Sequence, residues 1–344
     1  MKNNFFLFII FFTALISCDN GVQKYDAKVY ENASKHLPQN LNKYVKNNLT
    51  SQKWIDNNLY FNVKSDNTIK SYKIDAETLE IIEEELPDEI RPSVNYLEIV
   101  SPNKKKSIYI KNYNLWIRDL TTKKIKQLTF NGYEHYGYAT NNAGWIKNDR
   151  PVLKWWNDSK TITTFRQDSR KVGEMYLTTT NVGHPNLQKW KYALPGDENI
   201  FEIERIFINV ESGKISKFKM GRDFQRSTTT DHIAGWDGTL LDANFSKDGK
   251  KLAFISSSRD HKEAHLQIAD VKTGNIESVY KEVSKTYFES GVSGENWRVF
   301  FNSNEFLWYS EKDNWGHLYL YDLSNGNLKN RITGGECLVR DVLH

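Results

Sequence analysis

His261-Lys262-Glu263-Ala264-His265 places two imidazoles and a carboxylate within one short stretch, a set that could hold zinc and activate water. The helical form of that chemistry needs the Glu directly after the first His, with both imidazoles on one helix face. Here Glu263 stands two residues after His261, and the segment runs into the alternating stretch His265–Ala269. It reads as a loop entering a strand, and no metal is expected. Gly291-Val292-Ser293-Gly294-Glu295 comes nearest to a nucleophile elbow, the strained turn that presents a serine hydroxyl for attack. The elbow needs a second glycine where Glu295 stands, and no Ser-His-Asp set can be assembled from the rest. Glu83-Glu84-Glu85 reads as an acidic surface bend. No glycine-rich loop follows a strand and opens a helix, so no cofactor is expected, and no catalytic residue is assigned.

One residue near the start has chemistry of a different kind. Met1-Lys2-Asn3-Asn4 is a short positive start, and Phe5–Ile16 is apolar except for Thr13. That core is too short to span a bilayer as a helix but suits a secretory signal. It ends in Leu15-Ile16-Ser17-Cys18, which resembles the bacterial lipoprotein cleavage box. The resemblance implies cleavage before Cys18, acylation of Cys18, and anchoring of the protein to a membrane of the bacterial cell envelope, periplasmic or outer, without crossing it. Residues 1–18 are read as this signal and 19–50 as a tether and lead-in, in which 24–50 is either a short helix or an irregular approach to the strands. Cys337 is the other cysteine, so the mature fold has no pair to bridge and must be held by packing.

The elements that follow are strands. Aromatic residues make up 13% of the chain against only 7 prolines, a balance that suits pleated, half-buried surfaces. Basic residues number 47 and acidic 43, mixed along the chain without a basic block, which argues against nucleic acid as a partner. The stretch Leu241–Ile276 reads as three strands, with tight turns at Ser246–Lys250 and Asp270–Gly274. A unit of this kind cannot bury both its faces alone. It recurs: units begin near Lys53, Leu97 and Val152, Leu241 opens the fourth, and Glu305 opens the fifth. Each carries an Asp or Asn at the head of a polar turn, namely Asp75, Asp119, Asn209, Asp270 and Asp322. The gaps are 44, 90, 61 and 52 residues, the longest containing an insertion of roughly forty residues. A repeat of four short strands at this period predicts an all-β fold, a β-propeller of four-stranded antiparallel blades, over residues 51–344. An antiparallel sandwich would not reproduce one unit five times. The tryptophans, among them Trp116, Trp155, Trp297, Trp308 and Trp315, are expected between blades.

These units resemble propeller blades of the dipeptidyl peptidase IV family of serine peptidases. The resemblance is carried by 101–132 and 310–336, by Tyr136-Gly137-Tyr138, Lys154–Lys160 and Gly173-Glu174-Met175-Tyr176, by His184-Pro185 and Tyr192–Asp197 in the insertion, and by Ser257–His261 and Trp315–Tyr319. It implies a propeller that restricts access to a peptide substrate, followed by an α/β-hydrolase domain that supplies the catalytic groups. Two departures stand out. The family has eight blades and a nucleophile elbow, whereas five units and no elbow are visible here, so the ring is expected to be incomplete, inactive alone, and prone to form a homo-oligomer through exposed blade faces. The family also holds the peptide's amino terminus with a pair of glutamates. The matching stretch Tyr138–Trp145 offers Asn141 and Asn142, which can accept hydrogen bonds but carry no charge. The family directs groups at the blade edge holding Arg166 and Asp168–Lys171 towards the substrate cavity, so Arg166 joins Asn141 and Asn142 as a candidate substrate contact, while the residue types at that strand end read first as an ion pair. The expected function is the substrate-gating part of a secreted peptidase. The alternative is a stand-alone envelope-anchored binding propeller with no enzymatic role.

Overall fold

The structure, a computed structural model, describes residues 26–37, 40, 43, 46–65, 68–84, 96–140, 149–180, 183–224, 240–288 and 297–340. The chain divides into two compact units, Met1–Ser93 and Val94–His344. In the first, α1 (Ala27–Lys35) is capped by Asp26, whose carboxylate accepts from the Lys28 amide at 3.1 Å. Of the short helix and the irregular approach that the sequence allows there, the helix forms over Ala27–Lys35. An antiparallel sheet follows in the order β1 (Asn48–Ile55), β2 (Asn58–Ser65), β3 (Thr68–Asp75), β4 (Ile81–Glu83).

The second unit repeats that design. One sheet is β5 (Ile99–Val100), β6 (Lys106–Lys111), β7 (Asn114–Asp119) and β8 (Ile125–Gln127). The next runs through β9 (Lys154–Trp155) and β10 (Thr161–Asp168), is interrupted by a hairpin of β11 (Glu174–Thr178) and β12 (Leu187–Lys191), and resumes with β13 (Glu202–Asn209), β14 (Ile215–Lys217) and the short β15 (Asp223–Phe224). A third is β16 (Ala243–Phe245), β17 (Lys251–Ser257), β18 (Glu263–Asp270) and β19 (Ile276–Val283). The last is β20 (Trp297–Phe300), β21 (Glu305–Ser310), β22 (His317–Asp322) and β23 (Leu328–Arg331). These are the five blades that the turns predicted. The expected interruption of the third unit is the β11–β12 arm and its flanks.

Side-chain alternation explains why the middle strands are apolar on both faces. Along β17, Leu252 and Phe254 pack towards β10 and β13 with Phe165, Ile203 and Phe207. Ala253 and Ile255 point the other way, to Phe306, Trp308 and Tyr321 of the next sheet. Burying a side chain of Phe254's size stabilises by roughly 1.5–3 kcal/mol, and β10, β13, β17 and β18 each place residues in two such cores. Trp155 and Trp308 lie in these cores as expected, but Trp315 is exposed, on the turn before β22.

The five aligned turns have one geometry. The head residue's amide donates to the carbonyl five residues on, and its carbonyl accepts from the amide four residues on, at Asp75, Asp119, Asn209, Asp270 and Asp322 alike. The side chain of each also accepts turn amides, from Thr122 to Asp119 at 2.7 Å and from Thr273 to Asp270 at 2.7 Å. Such amides hold the carboxyls of Asp75 and Asp119 below their ordinary range, and at Asp270 and Asp322 a hydroxyl of the turn does so first, with the amides adding to it. The residue four positions after the head has positive φ, and Gly213, Gly274 and Gly326 fill that place in the last three blades. At Gly274 a Cβ would also overlap the carbonyl oxygen of Lys217 on β14, whereas at Gly213 the nearest group is Lys126 Nζ at 4.0 Å. Gly274→Ala is therefore expected to cost about 2–3 kcal/mol and Gly213→Ala about 1 kcal/mol. Urea unfolding of the two variants checks the order, and equal losses would show that the blade contact at Gly274 is unimportant.

Within the second unit, antiparallel connectivity gives each blade two ends. The first-to-second and third-to-fourth strand turns share one rim, where Asn103 N donates to Ser159 Oγ at 3.0 Å and Lys219 N to Gly274 O at 2.7 Å between neighbouring blades. The second-to-third turns and the long connections between blades share the other rim. Regular turns fill the first; the second carries everything irregular.

Candidate functional site

The irregular rim holds a cavity of about 1000 Å³ between the β6–β7 turn, the connection from β8 to β9, and the β11–β12 arm. Its wall includes Asn112, Tyr113, His135, Thr140, Asp149 and Trp190. Three elements widely spaced in sequence converge there because the second-to-third turns and the blade connections share that rim.

The backbone around the cavity is strained. Strands β6 and β7 pair Lys111 with Asn114, leaving the two-residue turn Asn112-Tyr113 with φ of 50° and 62°. Such a turn favours Asn then Gly, and Tyr at the second place costs about 1–2 kcal/mol. His135 and Ala139 are left-handed as well, at 63° and 53°. Packing enforces the turn. Tyr138 N donates to Tyr113 O at 2.9 Å, and a Cβ on Gly132 would overlap that same carbonyl. Strain retained by its surroundings is a mark of a functional position. Burial, then the charges of Glu134 and Asp149, push the Tyr113 hydroxyl above its usual range.

Arg166 stands behind this wall, on β10. Its guanidinium donates to Glu204 at 2.7 Å and lies 4.2 Å from the Tyr136 ring centre and 5.6 Å from that of Tyr138. Two residues on, Asp168 accepts from Arg170 at 2.9 and 2.6 Å and from Arg222 at 2.5 Å. The Arg170 and Arg222 guanidiniums and the Arg170 amide hold its carboxyl down at about 2. Arg170 also approaches Tyr136, at 4.1 Å, and donates to Tyr133 at 2.9 Å. The group is an interlocked set of guanidiniums, carboxylates and rings that stiffens the cavity's edge. Asn141 and Asn142 lie outside the described residues, but Thr140 and Asp149, which flank 141–148, both line the cavity. Cys18 and Gly291–Glu295 also lie outside the described residues.

The remaining sequence candidates have local partners. His261 stacks on Tyr287 with ring centres 4.5 Å apart, and His265 on β18 sits 3.3 Å from Glu263. Among the described residues no three His, Cys, Asp or Glu side chains gather as a metal site, and no helix is long and apolar enough to cross a membrane. Sequence reasoning missed Tyr113, although a tyrosine in the glycine place of a two-residue hairpin is a local signal. Glu134, an isolated acid in the sequence, also lines the cavity. Sequence reasoning missed Arg205 too, a cation inside the apolar strand Glu202–Asn209.

The comparisons agree with this architecture. A protein described as a probable dipeptidyl-aminopeptidase B from Aspergillus fumigatus is 22% identical over 224 residues, covering 60% of this chain and 22% of its own length. A relative with the same description from Uncinocarpus reesii is 24% identical over 195 residues, covering 50% of this chain and 19% of its own length. The crystal structure of Porphyromonas gingivalis dipeptidyl peptidase 4 superposes with a TM-score of 0.55 at 17% identity, over 83% of this chain and 38% of that one. The chain thus spans well under half the length of these relatives. The family model for the dipeptidyl peptidase IV (DPP IV) N-terminal region matches residues 43–344. On that match the chain belongs to the dipeptidyl peptidase IV family, as a β-propeller of its N-terminal region.

Proposed function

We propose that this propeller is the substrate-gating part of a dipeptidyl peptidase IV-like serine peptidase that acts on short peptides, secreted to the bacterial cell envelope and held there by a lipid on Cys18. The observation that carries the reading is the cavity's position. It opens on the irregular rim, its wall is strained at Tyr113, and it borders the stretch that the family resemblance assigns to holding the peptide's amino terminus. The 344 residues contain no Gly-x-Ser-x-Gly elbow, so nucleophile, base and acid would come from a hydrolase domain. The propeller's share of the chemistry is to admit a peptide of limited size and to orient its end.

The test uses the purified chain and an unblocked Ala-Pro-Ala tripeptide, with binding followed by calorimetry. Tyr113→Gly relieves the left-handed strain and is expected to raise stability by up to about 1 kcal/mol while weakening tripeptide binding about tenfold. A variant that binds like the wild type would remove Tyr113 from the site, and a wild type that does not bind would overturn the proposal. Hydrolysis of an Xaa-Pro chromogenic substrate by this chain alone, or its labelling by a fluorophosphonate, would overturn it too.

A further inference from the structure

The β11–β12 arm forms one wall of the cavity through Glu174, Lys189, Trp190 and Lys191, yet little packing holds it. A two-stranded hairpin is marginal by itself. Tyr176, Leu177 and Leu187 are exposed at 58%, 55% and 62%, and the buried cluster at the arm's base consists of Val172 and Phe201 with Ala193 against them. Local contacts set the path of the strands, with Tyr192 N donating to Gly173 O at 2.9 Å and Lys191 Nζ to Val172 O at 2.8 Å. Among the described residues these contacts lie within the arm and its base, and the link to the neighbouring blade is a separate one.

That link comes from Arg259, in the turn between β17 and β18. After β12 the chain makes the turn Leu194-Pro195-Gly196-Asp197. It is closed by Asp197 N donating to Leu194 O at 3.1 Å and Leu194 N donating to Asp197 Oδ2 at 2.8 Å, with Gly196 at φ +92°. The turn presents the carbonyls of Leu194 and Asp197 side by side. Arg259 reaches both, donating from Nη2 to Leu194 O at 3.0 Å and from Nη1 to Asp197 O. A planar fork with two outward N–H groups suits a pair of adjacent carbonyls, and an ammonium, a single point of charge, does not.

We propose that Arg259 is a positioning residue for the cavity: it latches the base of the arm to the next blade and so sets how far the arm stands over the opening. The inference rests on reading the cavity as the peptide-contacting site only for its consequence, since the latch itself is a matter of structure. With the fork in place the arm is a fixed wall. With it released, the arm keeps its hairpin but moves on its base, and the opening widens. Elements held by few buried contacts open independently of the global fold, which makes such a release local.

Hydrogen exchange read by mass spectrometry on the full chain tests this without any peptide, so it can fail while the proposed function stands, and the reverse. Arg259→Ala is expected to speed exchange across 174–197 about tenfold while the amides of β13, β17 and β18 exchange as in the wild type. Arg259→Lys, which keeps the charge but not the fork, is expected to fall between the two. Trypsin should cut Arg259→Ala sooner than wild type after Lys189 or Lys191. Exchange in 174–197 within twofold of wild type, or acceleration shared equally by every blade, would overturn the latch. Full restoration by lysine would overturn the role assigned to the fork.

Discussion

Arg205→Met is expected to destabilise the protein by about 3–5 kcal/mol, because it strands two carboxylates in the interface between blades. Arg205 lies on β13 with the same parity as Ile203 and Phe207, so its side chain enters the core shared with β16 and β17. Its Nε donates to Asp223 on β15 at 2.9 Å, and its Nη2 to Asp242, just before β16, at 2.5 Å and to the Ile255 carbonyl of β17 at 3.0 Å. The guanidinium also lies 4.9 Å from the Phe254 ring centre. One cation thus ties together the two ends of the connection between these blades and the strand beyond it. All three charged side chains are at least 93% buried, with relative exposures of 5%, 7% and 0%. A buried pair is worth little against an apolar replacement of equal volume, but removing one member leaves the other charge without compensation. The triple replacement Arg205→Met, Asp223→Asn, Asp242→Asn should therefore recover most of the loss. Urea unfolding at pH 7 measures both, and a single-variant loss under about 1 kcal/mol would show that the triad does not hold the interface.

The same site has a pH signature. Burial pushes the Asp242 carboxyl up to about 6, against the pull of Arg205 and despite its hydrogen bond. A carboxyl raised on folding binds its proton more readily in the folded chain than in the unfolded one. Its contribution is fully present below about pH 4, falls as pH rises through 6, and is gone above that. Stability measured from pH 4 to 7 should carry this downward component in the wild type and lose it in Asp242→Asn. Asp168, held down at about 2 by Arg170 and Arg222, acts in the opposite sense and in a different window: its contribution is present above about pH 4 and is lost as pH falls through 2.

The difference between Arg205 and the repeated turns shows what a single sequence discloses. Asp119 and Asp270 each work within five residues, through amides and a hydroxyl of their own turn, so the residue types at those offsets already contain the geometry. The five blades followed from that local rule, and so did the middle strands, since a strand buried on both faces reads as an unbroken apolar run. The alternating stretch His265–Ala269 marks only the middle of β18, which runs Glu263–Asp270, because cross-strand pairing to β17 and β19 continues past the apolar core. Arg205 gave no such signal. Its partners stand 18 and 37 residues away and are brought to it only by the packing of one blade on the next. The Arg259 latch has the same character, with carbonyls 62 and 65 residues distant as acceptors, and a backbone acceptor leaves no trace in residue type. Tyr113 lies between these cases: its turn is local, but what makes it a site, the convergence of the arm and the blade connection, is tertiary.

At the other end of the chain, Cys18→Ala is expected to move the protein from the membrane fraction to the soluble one, the largest change in behaviour that a single substitution should produce here. Phe5–Ile16 as a helix would be about 18 Å long, well short of the roughly 30 Å hydrocarbon layer, so the core cannot serve as a spanning anchor. Asp19–Gln23 is polar and offers no amphipathic face to lie on a surface. Membrane attachment, on the proposed reading, therefore depends on acyl chains at Cys18, and stable anchoring takes more than one such chain. Expression in a bacterial host with a clickable fatty acid should label the wild type and leave Cys18→Ala unlabelled, with the wild type entering the detergent phase on partitioning. Membrane retention without label would sink the lipid anchor. Label that persists in Cys18→Ala would place the acyl group elsewhere, and the exposed Cys337 is the thiol to examine next.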